Sequence, residues 1–144
     1  MADERKTFSV SVVTPDGAAY EGECVLLIVP GAAGEIGVLA RHAPLIATLK
    51  AGSTRVHLKD DPEPLEFATG PGFFQVQQDR AIALVDDAVN VKEIDDDRAQ
   101  SMLEEARAEM ARIESGESTA DRWQIEQRIR HAENQLAVAG RAAA

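Results

Sequence analysis

The run RAIALVDDAVNVKEIDDDRAQSMLEEARAEMARI, residues 80–113, changes its period near residue 92. Before that point Ile82 and Leu84 stand two positions apart, the spacing of side chains on one face of a β-strand. After it, Ala99, Met102, Leu103, Ala106, Met110 and Ile113 recur at steps of three and four, one stripe of an α-helix. A chain that switches period once is expected to hold two parts. We read residues 1–92 as a β-sandwich domain and residues 93–144 as a helical hairpin, an α+β fold.

Upstream of the switch the period-two pattern persists. Phe8, Val10 and Val12 alternate with Ser9 and Ser11 up to a Pro15-Asp16-Gly17 turn. Cys24 to Val29 is apolar on both faces, as in a strand buried in a sandwich. Thr54, Val56 and Leu58 alternate before an Asp60-Asp61-Pro62 tip. Phe74 and Val76 precede the polar hairpin Gln77-Gln78-Asp79-Arg80, which leads to Ile82 and Leu84. Short strands broken by Gly and Pro favour an antiparallel sandwich. Downstream, Asp95 is placed to cap a helix, with Asp96 and Asp97 in a first turn where the helix dipole favours negative charge. Glu104 with Arg107, and Glu109 with Arg112, have the spacing of supportive surface pairs. Ser115-Gly116 ends that helix, and Ser118 or Thr119 is positioned to cap the next, whose stripe is Ile125, Ile129, Ala132, Leu136 and Ala139. Seven large apolar residues on the two stripes make a small core for two helices, so the hairpin is expected to need docking and to be able to rearrange.

Charge and composition exclude several functions. The chain is 44% hydrophobic, 28% charged and carries a net charge of −10, a poor match for nucleic acid or anionic lipid, which select basic surfaces. The tail departs from this: Arg122 to Ala144 holds four bases (Arg122, Arg128, Arg130 and Arg141) against Glu126 and Glu133. A lone Cys24 in an apolar run forms no internal disulfide and fits a reducing compartment. Met1 to Lys6 is charged and no apolar signal segment follows it, and no run approaches the roughly 20 apolar residues of a membrane span. His42, His57 and His131 are scattered, with no metal-binding spacing and no nucleophile elbow nearby. No catalytic or metal-ligating residue is assigned. The glycines of Pro30-Gly31-Ala32-Ala33-Gly34-Glu35-Ile36-Gly37 lack the Gly-Lys-Ser/Thr ending and following helix of a phosphate cradle, and are read as turn residues.

The segments Gly34-Glu35-Ile36-Gly37-Val38-Leu39 and His42-Ala43-Pro44-Leu45-Ile46, followed by Gly70-Pro71-Gly72-Phe73, Val76, Ile82, Leu84 and Ala88, resemble the epsilon subunit of F-type ATP synthase in order and spacing. The resemblance runs from about residue 7 to 139. It implies a non-catalytic subunit of the rotating central stalk that couples proton flow to ATP synthesis. The sandwich would contact the gamma subunit and the ring of c subunits, and the hairpin would reach the alpha and beta subunits and inhibit ATP hydrolysis. It implies a peripheral place on the cytoplasmic face of a bacterial plasma membrane, reached only through the complex. Gly37, Val38, Leu39, His42, Ala43, Pro44 and Leu45 then fall near the foot contacts, with His42 either touching a partner or bonding within its own loop. Arg122, Arg128 and Arg130 are candidates for acidic loops of the catalytic subunits. Trp123, off the apolar stripe, either packs over the inter-helix turn or anchors a partner. Ile94-Asp95-Asp96-Asp97-Arg98-Ala99 resembles the motif with which some bacterial members bind ATP. Ile94, Asp95, Arg98 and Ala99 are therefore candidates for a regulatory nucleotide, although Asp96 and Asp97 oppose phosphate and His131 and Gln135 stand where ATP-binding members have arginines. No other cofactor is expected. A nucleotide-sensing module and an unrelated structural adaptor are the alternatives.

Overall fold

A computed structural model of the chain describes residues 4–143, with side chains through residue 141. It divides into two compact units, one ending at Asn90 and one beginning at Val91.

The first unit holds ten strands: β1 (Phe8–Thr14), β2 (Gly17–Cys24), β3 (Leu26–Gly31), β4 (Gly34–Val38), β5 (Leu45–Leu49), β6 (Gly52–His57), β7 (Leu65–Thr69), β8 (Gly72–Gln77), β9 (Arg80–Val85) and β10 (Ala88–Asn90). Their order is β10-β7-β6-β3-β5-β8-β9-β1-β2, with β4 as a hairpin partner of β3. The sheet turns over where a single residue pair, Gly31 with Leu49, joins β3 to β5. Its two halves close on one core that includes Phe8, Val10, Val12, Leu27, Val29, Val38, Leu49, Val56, Phe67, Phe74 and Val76. Tyr20 of β2 meets Phe67 of β7 across that core, ring centroids 6.4 Å apart. The sandwich is antiparallel except for β1 and β9, which pair in parallel.

The apolar run Cys24 to Val29 is not one strand. Cys24 ends β2 and Leu26 begins β3, with Val25 fully buried between them. Burial pushes the Cys24 thiol up to about 12. On β9 the inward residues are Ala81, Ala83 and Val85, while Ile82 and Leu84 point out. The register explains the choice. Phe74 lies opposite Ala83 and Val76 opposite Ala81, so a large inward side chain on β8 meets a small one on β9.

The second unit begins with a 3-10 turn (Val91–Glu93) and continues as α1 (Asp96–Glu114) and α2 (Arg122–Ala143). Asp95 caps α1, its carboxylate accepting the Arg98 N–H at 3.2 Å. At the other end Glu117 N–H donates to Arg112 O at 2.8 Å and Gly116 N–H to Ile113 O at 3.2 Å. This is the Schellman closure, and it places Gly116 at φ 84°, a conformation that favours glycine. The second helix is capped by neither Ser118 nor Thr119. Asp121 accepts the Trp123 N–H at 3.0 Å, while Ser118 Oγ donates to Glu109 at 2.5 Å. The buried side chains are Ala99, Leu103 and Ala106 on α1 and Ile125, Ala132 and Val138 on α2, half of them alanines. Met102, expected on the stripe, is exposed. Arg107 reaches Glu133 on α2 at 3.6 Å instead of supporting Glu104, whereas Arg112 does pair with Glu109, at 2.6 Å.

Candidate functional site

The outer face of the sheet half formed by β5, β8, β9 and β1 is the surface that most departs from the rest of the chain. Strand pairing sets its content. Phe73 lies opposite Leu84, Gln75 opposite Ile82 and Gln77 opposite Arg80, so these six share one face. On one side Ile46 adjoins Gln75 and Thr48 adjoins Phe73; on the other, Val13 adjoins Leu84, Ser11 adjoins Ile82 and Ser9 adjoins Arg80. Arg80 is the single charge among these eleven positions, in a chain that is 28% charged. Ile46 is 75% exposed, Phe73 62% and Leu84 53%. A contiguous, charge-poor face with large exposed apolar groups is the signature of a protein-docking surface. Glutamines Gln75 and Gln77, joined at 3.4 Å, continue it toward the hairpin tip as uncharged amides.

That tip is fixed in place. Gln78 and Asp79 both sit at positive φ, 51° and 56°, in the two-residue turn between β8 and β9. Neither is glycine, so the conformation must be held from outside. Asp79 Oδ1 accepts the Arg41 N–H at 2.5 Å, and Asp79 O accepts the Ser9 N–H at 3.0 Å. The β4–β5 loop is thereby tied to the tip.

The foot-contact residues named from the sequence separate into two groups. Leu39, Ala43, Pro44 and Gly37 are exposed. Val38 is wholly buried and Leu45 packs against the core, so Val38 supplies sandwich stability and offers no surface to a partner. His42 is half-buried, and its Nδ1–H donates to the Ala43 carbonyl at 2.7 Å, within its own loop. On the hairpin, Arg122, Trp123, Arg128 and Arg130 are exposed, with Trp123 and Arg130 seven residues apart on one helix face. Arg122 lies 3.9 Å from Glu114. Trp123, at 59% exposure, leaves its ring open to solvent.

Among the four nucleotide candidates Asp95 spends its carboxylate on the helix cap, Ala99 is buried, Ile94 is half-buried, and only Arg98 presents a charged, exposed side chain. A cleft of about 510 Å³ between α1 and α2 is lined by Met102, Glu105, Ala106, Glu109, Ala120, Asp121, Gln124, Ile125 and Arg128. Its three carboxylates outnumber its one guanidinium, a lining that disfavours phosphate.

Period and composition alone do not single out Ile46, Phe73, Ile82, Leu84 and Val13 as surface groups. The adjacent pair Phe73-Phe74 carried the signal, since two large apolar residues in succession must face opposite sides of a strand.

The chain is thus a sandwich with a charge-poor outer face, followed by two helices with a small core. The family is settled by comparison. The model of the ATP synthase delta/epsilon chain beta-sandwich domain matches residues 7–91, and the chain belongs to this family. The ATP synthase epsilon chain of Halalkalibacterium halodurans is 38% identical over 135 residues, covering 94% of this chain and 98% of that one. That of Dichelobacter nodosus is 40% identical over 102 residues, 71% of this chain and 69% of the relative. A chain in the cryo-EM structure of the Euglena gracilis mitochondrial ATP synthase (OSCP/F1/c-ring) shares the fold, with a TM-score of 0.66 at 24% identity, over 89% of this chain and 78% of that one. A second, from the Tetrahymena thermophila central stalk and c-ring, has a TM-score of 0.55 at 13% identity, covering 97% and 98%. No helix among the described residues is long and apolar enough to cross a membrane.

Proposed function

We propose that this chain is a non-catalytic rotor subunit of an ATP synthase, held on the central stalk through the outer face of β5, β8, β9 and β1. In this role it couples movement of the c-ring to ATP synthesis, and its partners are the gamma subunit and the c-ring. The observation that carries the reading is the exposure of Ile46, Phe73 and Leu84 on a face with one charge. Each such side chain gains about 1.5–3 kcal/mol when fully buried, so a partner that covers all three has ample driving force. The complex holds the chain at the membrane as a peripheral component, on the cytoplasmic side in a bacterium. Co-purification tests this. The tagged chain should bring down gamma and the c-ring, and recovery of an unrelated partner with no effect on ATPase rate would replace the reading with the adaptor alternative.

The hairpin is proposed to restrain ATP hydrolysis. Its support is the small buried set of α1 and α2 and the exposed ion pairs Arg107–Glu133 and Arg122–Glu114, each worth roughly 0–1 kcal/mol, which together leave the helix pair free to rearrange. Trp123, Arg128 and Arg130 are the groups it would present to the catalytic subunits. Truncation after residue 92 should raise ATP hydrolysis by the reconstituted complex while assembly persists; an unchanged rate removes the inhibitory role. Regulatory ATP at Arg98 is the subordinate proposal that the resemblance supplies. Titration of ATP into the full chain, followed by Trp123 fluorescence, should give saturation that Arg98→Ala abolishes, and a flat titration ends it.

A further inference from the structure

A second surface lies where the β4–β5 loop passes the tip of the β8–β9 hairpin. Arg5, Lys6, Val25, Leu39, Ala40 and Arg41 line a cleft there of about 250 Å³. Its wall is apolar: Val25 is fully buried and Leu39 is 52% exposed. The remaining polar lining is cationic, and none of the six residues is acidic. On a chain of net charge −10 this inverts the prevailing sign. Among the described residues no carboxylate forms an ion pair with the side chain of Lys6 or Arg41, and the nearby Asp79 carboxylate bonds the Arg41 backbone N–H.

The cleft is preorganised. Arg41 sits at φ 64°, and its backbone N–H is held by Asp79, which also anchors Ser9 at the start of β1. Beside the cleft, Val25 N–H donates to the His57 carbonyl at 2.8 Å. Burial, then Arg55, then Arg5 hold the His57 imidazole below its ordinary value.

We infer that this cleft takes an acidic segment of the stalk partner. An apolar side chain of that segment lies against Leu39, Val25 and Ala40, and flanking carboxylates meet Lys6 and Arg41. The occupant is a polypeptide because the chain as a whole repels extended polyanions and anionic membranes, whereas a short partner segment meets only the local field. The inference rests on the docking function above and names the chemistry of a second contact.

The test compares the full-length chain with its Lys6→Glu/Arg41→Glu variant, titrated against gamma at low and high salt, with circular dichroism to verify folding. Both side chains are exposed, so the fold is expected to survive. The variant should bind about tenfold more weakly at low salt and show a flatter salt dependence than wild type. Equal affinity and equal salt slope overturn the inference while leaving the docking function intact. A wild-type chain that fails to bind gamma overturns both. As a second readout, a photo-crosslinker in place of Leu39 should capture a partner segment with Asp or Glu flanking the attachment point. Capture of a segment without acids overturns the inference, as does binding to phosphatidylglycerol vesicles that the double variant loses.

Discussion

Gly72 shows how a signature glycine is dictated by packing. A Cβ built there would stand 1.9 Å from the Leu84 carbonyl oxygen, a backbone atom that has nowhere to move. At Gly70 the obstruction is the Asp86 carboxylate, 1.7 Å away. Gly72→Ala should therefore cost about 1–3 kcal/mol, in the range of overpacked cores, read as a lower urea midpoint with an unchanged m-value. His57 gives a pH prediction whose sign follows from its lowered pKa. The unfolded chain, with its imidazole near 6.5, takes up this proton before the folded chain does. Stability from this group is thus fully present above 6.5, declines as pH falls below it, and levels off under the folded value. Wild type should lose more stability than His57→Gln between about pH 7.5 and 5.0, by urea unfolding. Cys24, raised to about 12 by burial, should resist alkylation at neutral pH until the sandwich is denatured.

Secondary elements were legible where burial is one-sided. In β1, Phe8, Val10 and Val12 are all core residues, and their alternation announces the strand. Strand β2 gives no such pattern, because at the edge of the sheet only Tyr20 and Cys24 turn inward while the rest of Gly17–Cys24 is solvated. The outer face stayed hidden for a related reason. On β9 the outward residues Ile82 and Leu84 are larger than the inward alanines, so hydrophobicity alone assigns the two faces backwards; the cross-strand register with Phe74 and Val76 is needed to correct it. On α1 the cap residues Asp95 and Gly116 were readable, because each answers to local backbone geometry. Ala99, buried one turn inside, and Met102, exposed, were not separable by period. Asp95→Ala should cost about 1 kcal/mol of helix stability, visible as faster amide exchange in the first turn of α1 with the strands unaffected. The Ser118–Glu109 bond and the Asp121 cap arise from the turn between helices, where spacing alone points to Ser118 or Thr119 and not to Asp121.

For the molecule as a whole, the two units present contrasting chemistry. The sandwich is built around a large core and shows a charge-poor face; half of the buried helix side chains are alanines, and the helices carry the exposed Trp123 and a basic tail. The proposed rotor role uses both, the charge-poor face as a seat and the helix pair as an arm that changes position. The seat is the part that must hold for any of the regulation to follow. Titrating purified gamma against the full chain and its Phe73→Ser/Leu84→Ser variant, with circular dichroism confirming the fold, measures it. Loss of two large buried groups should weaken binding by about a hundredfold or more, at roughly 1.5–3 kcal/mol each. Equal dissociation constants for variant and wild type would show that gamma sits elsewhere and that the charge-poor face is not the seat.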